Sequence, residues 1–289
     1  MNLVAAALAA GLVAVLVTLA VERWGGRVGG VLGSVPTTIV PHALGLFSRA
    51  SDGAAFRDAL AMAPAGMLLN AGFLWLWRVL PGLWPEADDR ARLRRTLLLT
   101  LAAWLLAASL VVVLGSSARR AGLPLTRLGW LLTACLGGAG IVACRGRRTA
   151  PRGRRPVSAA TLAARACLAA LAIGAAGLLA RQAPLLAGIA GVFPAIFLTT
   201  MVGLWLAQGQ AVPQGAVGPL MLGSSSVAVF ALLAGSLMPR FGPWLGALGA
   251  WLLAVGAVTL PALIWQARQG MEPDPVGLAQ GPDPRGRQP

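Results

Sequence analysis

The chain has 289 residues, of which 57% are hydrophobic and 11% charged, a balance that a water-soluble domain cannot hide inside its own core. Its net charge of +15 is carried by arginine with no lysine, and the arginines crowd into gaps between apolar runs. That placement suits topology control and excludes a nucleic-acid groove.

A membrane-spanning helix takes ~20 apolar residues, and nine runs of about that length follow in chain order: 3–22, 28–48, 58–80, 96–115, 127–144, 159–180, 184–207, 215–238 and 243–266. Run one is long for a signal-peptide core, lacks a basic leader and has no clear small-residue cleavage site, so it reads as a helix. The gaps hold Ser51, Asp52, Gly53, Arg57 and Asp58, then 85–95, 116–125 and 145–156, all polar. After Arg268 the chain turns rich in Pro, Gly and charge and reads as a disordered tail.

With nine spans and the N-terminus outside, the loops after runs one, three and five and the tail hold fifteen arginines. The opposite loops hold seven, Arg49, Arg57, Arg119, Arg120, Arg127, Arg181 and Arg240. Re-entrant runs two and seven would divide the same arginines evenly and leave the positive-inside rule nothing to act on. The expectation is a cell-membrane protein with its C-terminus in the cytoplasm.

Runs two and seven share a pattern. Gly30, Gly33 and Pro36 are followed by Gly45-Leu46, and Gly188, Gly191 and Pro194 by Gly203-Leu204, a G-x-x-G-x-x-P motif repeated at an offset of 158. The same offset pairs Pro81 with Pro239 at the ends of runs three and eight. The expected architecture is all-α, a polytopic helical bundle of about nine transmembrane helices in a 4+1+4 repeat. Residues 1–118 form the first four-helix unit, 119–156 the connecting helix and basic loop, 157–268 the second unit and 269–289 the tail. Five spans separate equivalent helices, so the second copy enters the membrane inverted, an arrangement common among secondary transporters.

Each half resembles the small four-helix GlpM-like membrane proteins, through Ala187-Gly188, Phe193-Pro194, the run 219–238 and Gly242-Pro243 before the last helix. In the first half Val35 stands in place of the Phe. The resemblance covers about four-fifths of the chain. It implies the helix count and the duplication, and it brings no established activity.

Residues three apart in a helix share one face, so each glycine pair allows close backbone approach while each proline removes a hydrogen bond and kinks the helix. Kinked helices at equivalent places in two repeats point to a transporter's binding site. The polar groups expected around them are Thr37, Thr38, His42, Asn70, Thr199, Thr200, Ser224, Ser225 and Ser226. With the six Gly and Pro residues they form the candidate solute site. Ser and Thr also bond back to their own helix, Asn also links helices, and His42, the only histidine, also suits a structural role.

Asp58, Arg78 and Arg165 lie near run ends, where long side chains snorkel to the interface. No carboxylate falls near a run's centre, which argues against a buried acidic relay and leaves Asp52 and Asp58 as the acidic contributors near run three. Trp24, Trp84, Trp205, Trp244 and Trp265 read as interfacial anchors, with Trp75 and Trp77 open to ligand stacking. Cys135, Cys144 and Cys167 match no metal or redox spacing and read as small core residues.

No metal, cofactor or catalytic motif stands out, and the glycine-rich stretch 25–33 lacks the strand, Lys and Ser/Thr of a phosphate loop. The function expected is transport or export of a small solute rather than an enzyme's. A non-transporting scaffold or partner subunit for envelope maintenance is the alternative. Partners reduce to the lipid bilayer, a small-molecule solute and, as an open option, further copies in a homo-oligomer; no nucleic acid is expected.

Overall fold

A computed structural model describes residues 4, 5, 7–9, 11, 12, 15, 16, 35–145, 158–179 and 182–269. Run one for the most part, the start of run two with Gly30 and Gly33, most of the basic loop 145–156, and the tail lie outside the described residues. Among the described residues the fold is helical with no strand.

The first full element, α1 (Ile39–Phe47), follows a non-helical stretch at 35–38 that contains Pro36. Asp52 then caps α2 (Gly53–Ala61), its carboxylate accepting from the Ala54 and Ala55 N–H groups at 2.8 Å. The Ala55 bond first, with help from Ala54 and Ser51, holds this carboxyl below its ordinary value. Its stabilising contribution is therefore complete above the ordinary carboxylate range and lost as pH falls through the lowered value. Because of this cap the helix starts five residues earlier than hydropathy alone suggests.

Pro64 stands near the start of α3 (Ala63–Val79), where its missing N–H and fixed φ are tolerated at the cost of a break at Met62. A short 3-10 turn, Leu80–Leu83, completes a 31-residue apolar rod, Gly53–Leu83. Asp88 caps α4 (Asp89–Arg120), and α5 (Leu125–Cys144) follows a turn at Gly122. After α6 (Ala159–Leu179), run seven breaks in two, α7 (Pro184–Ala190) and α8 (Ala195–Gln208), at 191–194. Gly209 and Gly242, both at positive φ, bound α9 (Ala211–Phe241). Finally α10 (Pro243–Ala254), a π turn at Val255–Thr259 and α11 (Leu260–Gln269) form one run.

Six stretches among the described residues are long and apolar enough to cross a membrane: Gly53–Leu83, Asp89–Arg120, Leu125–Cys144, Pro184–Leu206, Ala211–Phe241 and Pro243–Arg268. Run six contributes a shorter apolar stretch, Leu162–Ala176. The pattern of burial suits lipid rather than water. Leu106 on α4 and Leu245 on α10 are 73% and 71% exposed, while Asn70, Thr96, Ser224 and Ser226 are at 0 or 1%. An exposed aliphatic surface around a core that holds polar groups is stable where the surrounding solvent is hydrocarbon.

Neighbouring helices fix the directions of the runs. The Arg78 guanidinium donates to the Ala143 carbonyl at 3.1 Å and to the Gln214 carbonyl at 3.4 Å, and Gln214 Nε2 donates back to the Arg78 carbonyl. At the other end Arg57 lies beside Gly235, Gly129 meets Ala61 and Leu232, and Asp58 pairs with Arg119 at 2.9 Å. So α2–α3 and α9 pack antiparallel, and α5 lies across both. Run seven begins near Gly115, by way of Leu185, and ends at Asp89, by way of Trp205. It therefore traverses the bundle rather than turning back within it.

Several side chains sit elsewhere than hydropathy suggests. Arg78 does not snorkel outward but binds the last carbonyls of α5, where cationic groups complement exposed helix-end oxygens. Trp205 is buried rather than interfacial, at 1% exposure. Cys144 is buried, but Cys135 and Cys167 are exposed and belong to the outer surface rather than the core.

Candidate functional site

The break in run seven organises the interior. Pro194 has no N–H, and the chain from Gly191 to Pro194 leaves the helix before α8 begins. The Ala190 carbonyl accepts from the Phe193 N–H, but the Val192 carbonyl turns to a side chain of another run: Asn70 Nδ2 donates to it at 2.8 Å. Asn70 Oδ1 in turn accepts from Trp104 Nε1 at 2.8 Å, and the Trp104 ring packs edge-on against Phe193 with centroids 5.2 Å apart. Runs three and four thus clamp the break from one side. Asn70 is 1% exposed, and with both ends of its amide engaged it is a link between helices.

The helix that follows the first proline reaches the break through His42. Pro36 is buried, and His42, six residues beyond it on α1, lies with its ring against Gly191, three residues before Pro194. A Cβ on Gly191 would run into the imidazole. His42 is 1% exposed, and its Nε2 has no hydrogen-bond partner among the described residues. Gly188 meets a different neighbour: its missing side chain lets α7 approach α2 until its Cα faces the Ala59 carbonyl and the Met62 side chain.

The remaining candidates divide. Thr199 donates to the Ala195 carbonyl at 2.7 Å and Thr200 to the Ile196 carbonyl at 2.6 Å. Ser224 donates to the Met221 carbonyl, Ser226 to the Gly223 carbonyl and Thr37 to the Val35 carbonyl. These hydroxyls engage their own chain segments. Ser225 differs. It is buried on the side of α9 that faces α5, near Gly137, and its hydroxyl has no partner among the described residues. Thr38 lies half-buried before α1. The structure therefore brings His42 and Asn70 to the break that holds Gly191 and Pro194, with Gly188 one turn before it, and sets Ser225 apart, toward α5.

Three residues were missed by reasoning from sequence. Trp104 lies mid-run, far from either interface, and a tryptophan there needs a partner for its N–H; that was the available signal. Asp89 and Arg92 were counted as loop charges. Asp89 accepts from Trp205 Nε1 at 3.1 Å, and Arg92 donates to Gln210 Oε1 at 2.8 Å. Gln210 lies in, and Trp205 just before, the stretch 208–214, which holds three glutamines and no charge and gave no cue to what it meets. Trp77, read as open to ligand stacking, is fully buried against Trp205 at 6.0 Å, while Trp75 is exposed beneath the Arg78 guanidinium.

No protein-family model matches this chain, and neither a curated protein nor a solved structure matches it.

Proposed function

We propose that this multi-pass membrane protein is a secondary transporter or exporter of a small solute, built from two inverted four-helix halves on the plan that GlpM-like proteins share, with α5 joining them. The observation that carries the reading is that the helix after the first proline meets the break before the second: His42 on α1 lies on Gly191, three residues before Pro194. Broken helices free backbone groups and cross at the midplane in transporters with inverted repeats.

The helix register supports the duplication. The rods Gly53–Leu83 and Ala211–Phe241 are 158 residues apart at both ends, the offset of the sequence motif. They pack antiparallel, with Arg57 by Gly235 and Arg78 by Gln214. That register sets Met67 opposite Ser225, and these two are themselves 158 apart, as a two-fold axis in the membrane plane requires.

Arginines at the two ends of the described bundle are nearly balanced, and the excess lies at Arg23 and Arg27, in 146–157 and in the tail, outside the described residues. An outside N-terminus and a cytoplasmic C-terminus therefore rest on those segments. Single cysteines placed at Ala50, Asp88, Ala118, Ala150 and Val212 test them: impermeant label should reach 50 and 118 from outside, and 88, 150 and 212 from the cytoplasm. Any exchange between the two groups overturns the orientation.

A non-transporting scaffold is favoured by one observation, the complete engagement of Asn70 and the back-bonded hydroxyls, so that of the candidate side chains His42 and Ser225 hold the buried polar atoms without a partner among the described residues. Proteoliposomes decide between the two. Incubated with a defined mixture of small metabolites, vesicles holding the protein should accumulate at least one solute above empty vesicles by mass spectrometry, and Gly191→Leu should abolish this with insertion intact. Contents identical to those of empty vesicles favour the scaffold.

A further inference from the structure

The two halves differ at one place. The first copy carries about ten extra residues at 86–95, with no counterpart before Pro243, and these residues make bonds to the second half. Asp89 takes the indole N–H of Trp205 on both carboxylate oxygens at 3.1 Å. Arg92 reaches Gln210 with Nη1 at 2.8 Å, while its Nη2 donates to the carbonyls of Ala87 at 2.7 Å and Pro85 at 3.2 Å. The last two bonds brace the guanidinium against its own loop, so the reach to Gln210 is directed rather than incidental.

The partner on the far side is a plug. Trp205 is almost wholly buried, packed edge-on against Trp77, which in turn lies against Phe73 at 6.2 Å. These rings lie between α3 and α8 on the side of the break at 191–194 that carries the 85–95 segment. Met201, one turn back along α8 and on the same face as Trp205, is fully buried behind it. Asp89, by contrast, is exposed. A buried ring held by a carboxylate that already faces water can be let go without stranding a charge in the interior.

We propose that the 85–95 segment is a latch that closes its own end of the bundle over the break at 191–194 and the non-helical stretch at 35–38, with Asp89 holding Trp205 and Arg92 holding Gln210 until that end opens. The latch rests on the transport reading of the breaks and gives the otherwise two-fold bundle different gates at its two ends. The insertion has no copy in the second half, so the opposite end closes by other contacts.

Labelling tests it without knowledge of the solute. In protein with Cys135→Ser, Cys144→Ala and Cys167→Ser, the reporter Met201→Cys is exposed to an impermeant maleimide from the side of the 85–95 segment in inside-out vesicles. Asp89→Ala with Arg92→Ala should speed labelling of the reporter about tenfold, as expected if the open state rises from a minor population. Because the alanine variant could fail to fold, a second protein carries Arg92→Cys and Gln210→Cys. Oxidation should slow reporter labelling, read by peptide mass, and reduction should restore it. Equal rates in the oxidised and reduced forms overturn the latch. Solute accumulation with unchanged labelling removes the latch alone, and a labelling response without accumulation removes the transport reading alone.

Discussion

Gly188→Ala is expected to be the most damaging small substitution in the bundle, although it adds a single methyl group. Within a helix, replacing Gly by Ala ordinarily stabilises by roughly 1 kcal/mol, so the default expectation is a gain. Here the new Cβ would fall on the Ala59 carbonyl oxygen, with the carbonyl carbon and the Met62 Cβ close behind. Backbone has no rotamer to change, and α7 and α2 must separate. Overpacking typically costs about 1–3 kcal/mol, and a backbone clash belongs at the upper end of that range.

Gly191→Ala makes the contrast. Its Cβ meets the His42 ring, a side chain that can be removed. The single variant should lose stability, and adding His42→Ala should recover most of the loss, whereas His42→Ala should do nothing for Gly188→Ala. Melting midpoints in detergent, read by fluorescence-detected size exclusion, give the values for the two single and the two double variants. A Gly188→Ala protein as stable as wild type, or no recovery in the Gly191→Ala, His42→Ala double variant, means the close approaches are not there.

How much of this was legible in the sequence depends on what sets each feature. The spans were legible because hydrocarbon selects composition over ~20 residues, and no tertiary detail is needed to see that. Their ends were less so: α2 begins at Gly53 because Asp52 caps it, and α4 extends from Asp89 to Arg120, adding charged turns that hydropathy leaves out. The prolines at 36 and 194 announced interruptions, since the missing N–H is local chemistry.

What could not be read was which groups would answer the interruptions. Asn70 finds the Val192 carbonyl 122 residues away, a pairing set by how runs three and seven cross. The threonines and serines looked equally suited to a solute, and only the geometry shows Thr199, Thr200, Ser224 and Ser226 bonding to their own helices. Trp205 looked like an anchor because tryptophans near run ends usually are, yet Asp89 at the start of α4 supplies a carboxylate for its N–H while the ring packs inward.

Asn70→Leu is expected to unfasten the break. The side chain is nearly isosteric but apolar, so it leaves the Val192 carbonyl and the Trp104 N–H buried without partners. An orphaned buried group costs about 1–3 kcal/mol, and hydrogen bonds between membrane helices couple by about 0.6–1.7 kcal/mol, so a loss of roughly 1–4 kcal/mol brackets the pair. Trp104→Phe should cost less. It orphans only Asn70 Oδ1 and keeps an aromatic ring against Phe193.

Asn70→Asp should cost most, because a carboxylate accepts from Trp104 but cannot donate to Val192, and its charge is buried in a core with no cation beside it. Combining Asn70→Leu with Trp104→Phe should cost less than the two separately, since the second change removes a group the first has stranded. One result would reassign the residue. If Asn70→Leu left the melting midpoint unchanged and abolished solute accumulation, the amide would be a ligand for the solute, as its place in run three first suggested, rather than the clip that ties the broken helix to runs three and four.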